Sequence, residues 1–245
     1  MSLIIGHRGA KATFAENTLN SFEKAIEQGA DGIELDIHFS KDGALMVFHD
    51  FTLTRMCGVN GNIFDFTRED LSQYRVRFKD QVEAIPTLDE VLELIKSLQS
   101  KHNRKLIVNI ELKAGGDFYP GIEEKAISIA NQHLESDQVI FSSFDHYAVQ
   151  RIKTLSSKAK TGILTASLMV NPWEYVKKLN ADYYHPAQDA LNTKNLTEYS
   201  THHLLVNTYT VNDIHKAKLL LTHGVHAIIT DTPDVMVNLK ETLNL

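Results

Sequence analysis

Gly32-Ile33-Glu34-Leu35-Asp36-Ile37, then Ser40-Lys41-Asp42-Gly43, then Leu45-Met46-Val47-Phe48-His49-Asp50 is the stretch that decides the fold. The two outer segments are short, apolar and rich in branched side chains, so both read as strands. The residues between them are too few for a crossover helix, and Asp42-Gly43 between two apolar runs is a strong signal for a two-residue hairpin turn. Leu45 to Phe48 is therefore expected to be a short antiparallel return arm. With Asp42-Gly43 as the turn, Lys41 faces Ala44, and counting back along both arms sets Asp36 opposite His49.

Outward from this stretch, apolar runs alternate with amphipathic ones to both ends of the chain. With the return arm set aside, strands are expected at Leu3–Gly6, Gly32–Ile37, Leu106–Leu112, Val139–Phe141, Thr161–Leu164, Asp182–Tyr184, Leu204–Asn207 and Ala227–Thr230. Helices are expected at Asn17–Gln28, Thr87–Leu98, Ile122–Leu134, His146–Ser156, Trp173–Leu179, Thr193–Tyr199, Val211–Leu221 and Asp234–Leu243. Thr87 with Glu90 forms a capping box, Thr210 or Asn212 can cap the next-to-last helix, and Thr232-Pro233 opens the last. Repeated strand–helix units imply a parallel sheet, and eight of them imply an α/β fold of the (β/α)8 TIM barrel type. The 245 residues fit one such domain, 1–245. Residues 51–85 lack clean periodicity and read as a small loop-rich insertion over the barrel mouth.

Composition narrows the function classes. A formal charge of −6, with no dense run of Lys and Arg, argues against nucleic acid as a partner but leaves a small phosphate ligand open. Cys57 is the only cysteine, so neither a disulfide framework nor a thiolate zinc site is available. The chain enters an apolar strand at Leu3 without a leader pattern and contains no long apolar span, so a cytoplasmic location without stable membrane insertion is expected. A homodimer stays open.

Barrel enzymes keep their reacting groups at the C-terminal ends of strands, which is where His7-Arg8-Gly9 falls. A lone histidine there is most often structural, so its neighbours decide the matter. Alternation along a strand sends Glu34 and Asp36 to one face and Leu35 and Ile37 to the other. It likewise groups Asn109, Glu111 and Lys113. Carboxylates this close call for a shared proton or a hard cation such as Mg²⁺ or Ca²⁺, and Glu111 can complete a three-carboxylate site with Glu34 and Asp36. A structural bridge from one carboxylate to Arg8 is the plainer alternative. Lys113 sits one step nearer the mouth, where it can meet a phosphate oxygen. His49-Asp50 joins the group from the return arm, and two histidines beside such a cluster suit proton transfer during displacement at phosphorus.

His7-Arg8-Gly9, Glu16-Asn17-Thr18, Glu34-Leu35-Asp36, Asp42-Gly43, His49-Asp50-x-Thr52-Leu53-x-Arg55, Ile85-Pro86-Thr87-Leu88 and Glu111-Leu112-Lys113, in this order, resemble the glycerophosphodiester phosphodiesterases. Thr210-Val211-Asn212 and Ile228-Ile229-Thr230-Asp231-x-Pro233-Asp234 extend the likeness from Ile5 to about Asp234. The resemblance implies metal-dependent hydrolysis of a small-molecule glycerophosphodiester to glycerol 3-phosphate and an alcohol. It implies one divalent cation, Mg²⁺ or Ca²⁺, on Glu34, Asp36 and Glu111, with His7 and His49 as the acid–base pair. It also implies phosphate contacts from Arg8 and Lys113, and an insertion covering the glycerol end. Tyr209 stands where the family usually has Trp, and His226-Ala227 replaces a common Asp-Gly. Tyr209 is expected either to line the cleft or only to pack in its wall, and Phe144, at the end of a strand, is a candidate for the same wall. The remaining histidines, among them the pair His202-His203, read as surface or core residues. The rival functions are a phospholipase- or sphingomyelinase-like enzyme, which needs an apolar or basic rim that no stripe of the sequence supplies, and a non-catalytic barrel used for binding.

Overall fold

Strands covered by helices on one side and filled by side chains on the other bury both faces, and the apolar runs do so in the computed structural model, which describes residues 2–245. The strands are β1 (Leu3–His7), β2 (Gly32–Phe39), β3 (Leu45–Val47), β4 (Arg75–Phe78), β5 (Gln81–Ala84), β6 (Ile107–Leu112), β7 (Val139–Ser143), β8 (Lys160–Thr165), β9 (Tyr183–Pro186), β10 (Asn207–Thr208) and β11 (Ala227–Thr230). Eight of them run parallel in the order β10-β11-β1-β2-β6-β7-β8-β9, and single bridges from Tyr184 to Val206 and from Ala187 to Tyr209 link the two ends of that order. The result is a nearly closed eight-stranded barrel. Its helices are α1 (Leu19–Glu27), α2 (Thr54–Cys57), α3 (Arg68–Leu71), α4 (Leu88–His102), α5 (Ile122–His133), α6 (His146–Leu155), α7 (Pro172–Lys178), α8 (Thr193–Thr201), α9 (Ile214–Thr222) and α10 (Pro233–Thr242). Among the described residues no helix is long and apolar enough to cross a membrane.

The return arm is present as β3, but its register differs by one residue from expectation. Ile37 pairs with Val47 and Phe39 with Leu45, so the turn contains three residues, Lys41-Asp42-Gly43. Gly43 takes the left-handed position (φ 79°) of that loop, and its N–H donates to the Ser40 carbonyl at 2.9 Å. Asp36 consequently lies across from Phe48, whose N–H it accepts at 3.0 Å, and His49 is placed by the chain beyond the strand. The cap of α9 also differs: Asp213 accepts from the Lys216 N–H, while Asn212 serves the site described below. The capping box at Thr87 and Glu90 forms as expected.

Residues 51–85 carry more structure than a loop. They hold α2, α3 and the β4–β5 hairpin, and Leu53, Ile63, Leu71 and Val76 bury against Met46 and Phe48 as a small separate core. Each piece is too short to show a period in the sequence, which is why it reads as irregular. Gln81 ties the hairpin to the loop after β1 by accepting from the Ala15 N–H and donating to the Thr13 carbonyl, so the insertion stands beside the mouth.

Inside the barrel, Ile5, Ala227 and Ile229 pack as one apolar cluster, and polar residues that include Asn109, Ser142, His185 and Asn207 are buried within the strands. Two glycines allow close approach. A Cβ on Gly32 would fall on the Ile107 carbonyl, and one on Gly162 would fall on the His185 ring. His185 is fully buried, with Nε2 3.0 Å from the Asn207 amide nitrogen, and burial holds its pKa down at about 3. An unfolded histidine titrates near 6.5, so between these two values the unfolded chain binds the extra proton and stability falls as the pH is lowered. Replacing His185 by Gln should flatten the dependence of unfolding free energy on pH between roughly 6 and 4 by up to about 1.4 kcal/mol per pH unit. Urea titrations across that range measure it, and identical slopes in the two proteins would show that His185 is not held neutral.

Candidate active site

The first strand ends in a turn whose backbone is costly for ordinary residues. Arg8 (φ 51°) and, in the following loop, Asn17 (φ 57°) both sit in the left-handed region, with Gly9 (φ 88°) packed so tightly on Ser21 that a Cβ would strike its backbone. The Arg8 carbonyl accepts from the Asn17 N–H (3.0 Å) and the Ser21 hydroxyl (3.1 Å), which locks the turn. As a result the Arg8 N–H donates to Glu34 Oε2 at 3.0 Å, and its guanidinium reaches Glu16 (2.9 Å) and Asp36 (Nε to Oδ2, 3.3 Å).

Parallel pairing of β2 with β6 sets Glu34 beside Asn109 and Asp36 beside Glu111. Oxygens of Glu34, Asp36 and Glu111 therefore come within 4.8 Å of one another. Lys113, two residues beyond Glu111, stands 2.7 Å from Glu111 and 3.4 Å from Asp36. Burial and the neighbouring Asp36 and Glu111 push the Glu34 carboxyl well above its usual range, and burial with Asp36 lifts Glu111 to about 7. Burial also works against ionised Asp36, but Arg8, Lys113 and His49 outweigh it and hold Asp36 at about 2. The cluster thus has more carboxylate than its two cations satisfy. Asp36 Oδ1 is buried without a hydrogen-bond partner, and the donors are all hard oxygens, so the three residues fit a divalent cation of the Mg²⁺ or Ca²⁺ kind.

Two histidines flank the carboxylates, and each is held by a carboxylate of its own. His7 Nδ1 is 2.6 Å from Asp231, and His49 Nδ1 is 2.6 Å from Asp50. A carboxylate only accepts, so each Nδ1 carries hydrogen and each Nε2 is left for other chemistry. His7 Nε2 lies 3.9 Å from Glu34. Burial lowers the pKa of both rings, with Asp231 and Asp36, respectively, the strongest opposing influences. Asp231 is held in turn by the Asn212 amide (2.8 Å), and Asp50 by Arg55, whose other end grips Glu16.

All of the sequence candidates lie at this end of the barrel. His7, Arg8, Glu34, Asp36, His49, Glu111 and Lys113 form one linked group. Phe144 and Tyr209 make an edge-to-face pair (6.1 Å) on the wall, where Tyr209 donates to the Thr165 carbonyl and is near enough to Glu111 for that charge to act with burial in raising its phenol. Sequence reading missed Asp231, Asp50, Asn17 and His38 as site residues. Asn17 donates to Asp36 at 2.9 Å. His38, fully buried and held at a pKa of about 4 by burial, donates from Nε2 to the His49 carbonyl and accepts from the Tyr119 hydroxyl, bracing the His49 backbone. Asp231, Asp50 and Asn17 lay inside quoted motifs, so a signal existed. His38 had none beyond its place after Asp36. His133 pairs with Asp89 at 2.8 Å on the outer surface, away from this site.

Comparison with known proteins agrees with this geometry. The pattern described as the glycerophosphoryl diester phosphodiesterase family matches residues 7–235. A glycerophosphodiester phosphodiesterase of Caldanaerobacter subterraneus subsp. tengcongensis is 36% identical over 242 residues, spanning 97% of each chain. One from Bacillus altitudinis is 36% identical over 249 residues, spanning 99% of this chain and 100% of that one. An Oleispira antarctica phosphodiesterase, solved with the product sn-glycerol-3-phosphate, superimposes with a TM-score of 0.88 at 25% identity over 98% of this chain and 97% of that one. Because the match runs through both histidines, the three carboxylates and Asp231, the chain belongs to the glycerophosphoryl diester phosphodiesterase family.

Proposed function

We propose that this chain, 1–245 acting as one barrel domain with residues 51–85 beside its mouth, hydrolyses small glycerophosphodiesters to glycerol 3-phosphate and an alcohol. The observation that carries this reading is the pair of histidines, each fixed through Nδ1 by its own carboxylate at 2.6 Å, beside a carboxylate cluster that fits a cation. The product named in the Oleispira antarctica complex and the names of the relatives support the substrate class.

Glu34, Asp36 and Glu111 would hold one divalent cation, Mg²⁺ or Ca²⁺. When bound, it neutralises charge on the non-bridging phosphoryl oxygens and makes phosphorus more electrophilic. Lys113 and Arg8 place further positive charge at the same oxygens. One histidine takes the proton of the attacking hydroxyl and the other gives a proton to the leaving oxygen. Attack by water yields glycerol 3-phosphate directly, whereas attack by the glycerol hydroxyl of the substrate releases the alcohol and leaves a cyclic phosphodiester, which water opens to glycerol 3-phosphate with the two histidines exchanging roles. Asp231 and Asp50 keep the two rings in the tautomer and orientation those transfers need. Phe144 and Tyr209 wall the cleft.

Glycerol 3-phosphate release from glycerophosphocholine should disappear in EDTA and return with Mg²⁺ or Ca²⁺. His7→Ala and His49→Ala should each lower turnover by about 10²- to 10⁴-fold with folding unchanged. Near-normal turnover in either variant, or full activity in EDTA, would defeat the scheme. Replacement of Asp231 by Asn changes no charge at the cluster but presents an amide that can force the His7 ring into the other tautomer. It should cut kcat by up to about 10⁴-fold while leaving KM close to its original value. A variant with raised KM and unchanged kcat would instead assign Asp231 to substrate binding.

A further inference from the structure

Thirteen large apolar side chains stand exposed among the described residues, and five of them lie on the loops that surround this site. Phe51 follows β3, Phe118 follows β6, Phe144 follows β7, and Leu168 and Val170 follow β8; they are 38–89% exposed. Loops after parallel strands open at the same end of a barrel, and Phe51, which follows the antiparallel β3, packs on Phe118 there, so these residues form an arc over neighbouring staves. Because each loop contributes only one or two of them, no stripe is visible in the sequence.

The arc is joined to the site at two points. Phe51 and Phe118 pack edge to face (5.7 Å), and Phe51 in turn packs on His38 (4.8 Å), the residue that braces His49. Further along, Phe144 packs on Tyr209 beside Glu111. Behind Phe118 lies an open depression of about 650 Å³, walled in part by Phe39, Phe64 and Tyr119. The opposite half of the mouth, over β11, β1 and β2, is polar: Lys11 and Asn212 lie on Asp231, and Arg8 and Arg55 lie on Glu16. The two halves therefore suit two different arms of one phosphodiester.

We propose that the alcohol arm of the substrate carries a hydrocarbon chain, which the arc of Phe51, Phe118, Phe144, Leu168 and Val170 receives while the polar half takes the glycerol. This deepens the proposed function and rests on it. The reaction is the same: an oxygen from the attacking hydroxyl bonds to phosphorus, the bond from phosphorus to the alkyl oxygen breaks, and that oxygen leaves with a proton as the long-chain alcohol. Exposed apolar area of this extent beside a charged site is stabilised when a hydrocarbon covers it.

The test is glycerol 3-phosphate release, with metal supplied, from glycerophosphocholine and from ethyl, butyl, hexyl and octyl esters of glycerol 3-phosphate below their micelle-forming concentrations. The value of kcat/KM should rise about two- to fourfold per methylene until the arc is covered. Phe118→Ser should flatten this rise while leaving the ethyl ester within about twofold of the parent protein. Since Phe118 also packs on neighbouring rings, the double substitution Leu168→Ser with Val170→Ser, confined to exposed positions, supplies a second check and should flatten the rise as well. Equal efficiency at every chain length, or a rise that survives both variants, overturns the hydrocarbon arm alone. Absence of product from every ester, glycerophosphocholine included, overturns the reading beneath it.

Discussion

Glu34, Asp36 and Glu111 bring carboxylate oxygens within 4.8 Å of one another where little water reaches, so their mutual repulsion has to be met by other charge. Lys113 and Arg8 meet part of it, and the remainder is what makes the cluster receptive to a divalent cation. Much of the surrounding chain follows from this requirement. Arg8 can serve two carboxylates only because the first turn adopts a backbone that Gly9 permits and that Asn17 and Ser21 clamp. Asn17 then steadies Asp36 itself. The local strain is offset by the packing and hydrogen bonds around it, as is usual where function sets the backbone.

The same site shows how a barrel divides labour between strand and loop. Strands supply the carboxylates, whose mutual spacing is then fixed by the sheet to within the tolerance of backbone pairing, and Lys113 stands one residue past the end of β6. Loops supply partners for the histidines and the apolar arc, where variation between relatives can alter the substrate without disturbing the charge arrangement. His49 belongs to both categories. It leaves β3 before reaching its position and is braced from behind by His38 and Tyr119, so its precision comes from a buried polar contact in place of a ladder bond.

Most of the barrel was legible because strand and helix periods are local properties, and the side-by-side facing of Glu34, Asp36, Glu111 and Lys113 followed from alternation alone. What escaped had other origins. The hairpin register turned on whether Gly43 occupies a two- or a three-residue loop, a choice decided by Ser40 and its contacts with Asp42 and Ala44. The 51–85 segment builds its core from pieces shorter than one period. Asp231 pairs with a residue 224 positions away, which spacing cannot express. The apolar arc is a property of exposure, and exposure is not written in any one segment.

The contact between His7 and Asp231 joins the first strand to the last. A chain made from its N-terminus displays His7 at the start of synthesis, yet cannot orient that ring until β11 has docked against β1 near the end. Competence is thereby coupled to completion. A nascent or C-terminally clipped barrel would carry every cluster carboxylate and a held His49, and still lack a correctly poised His7.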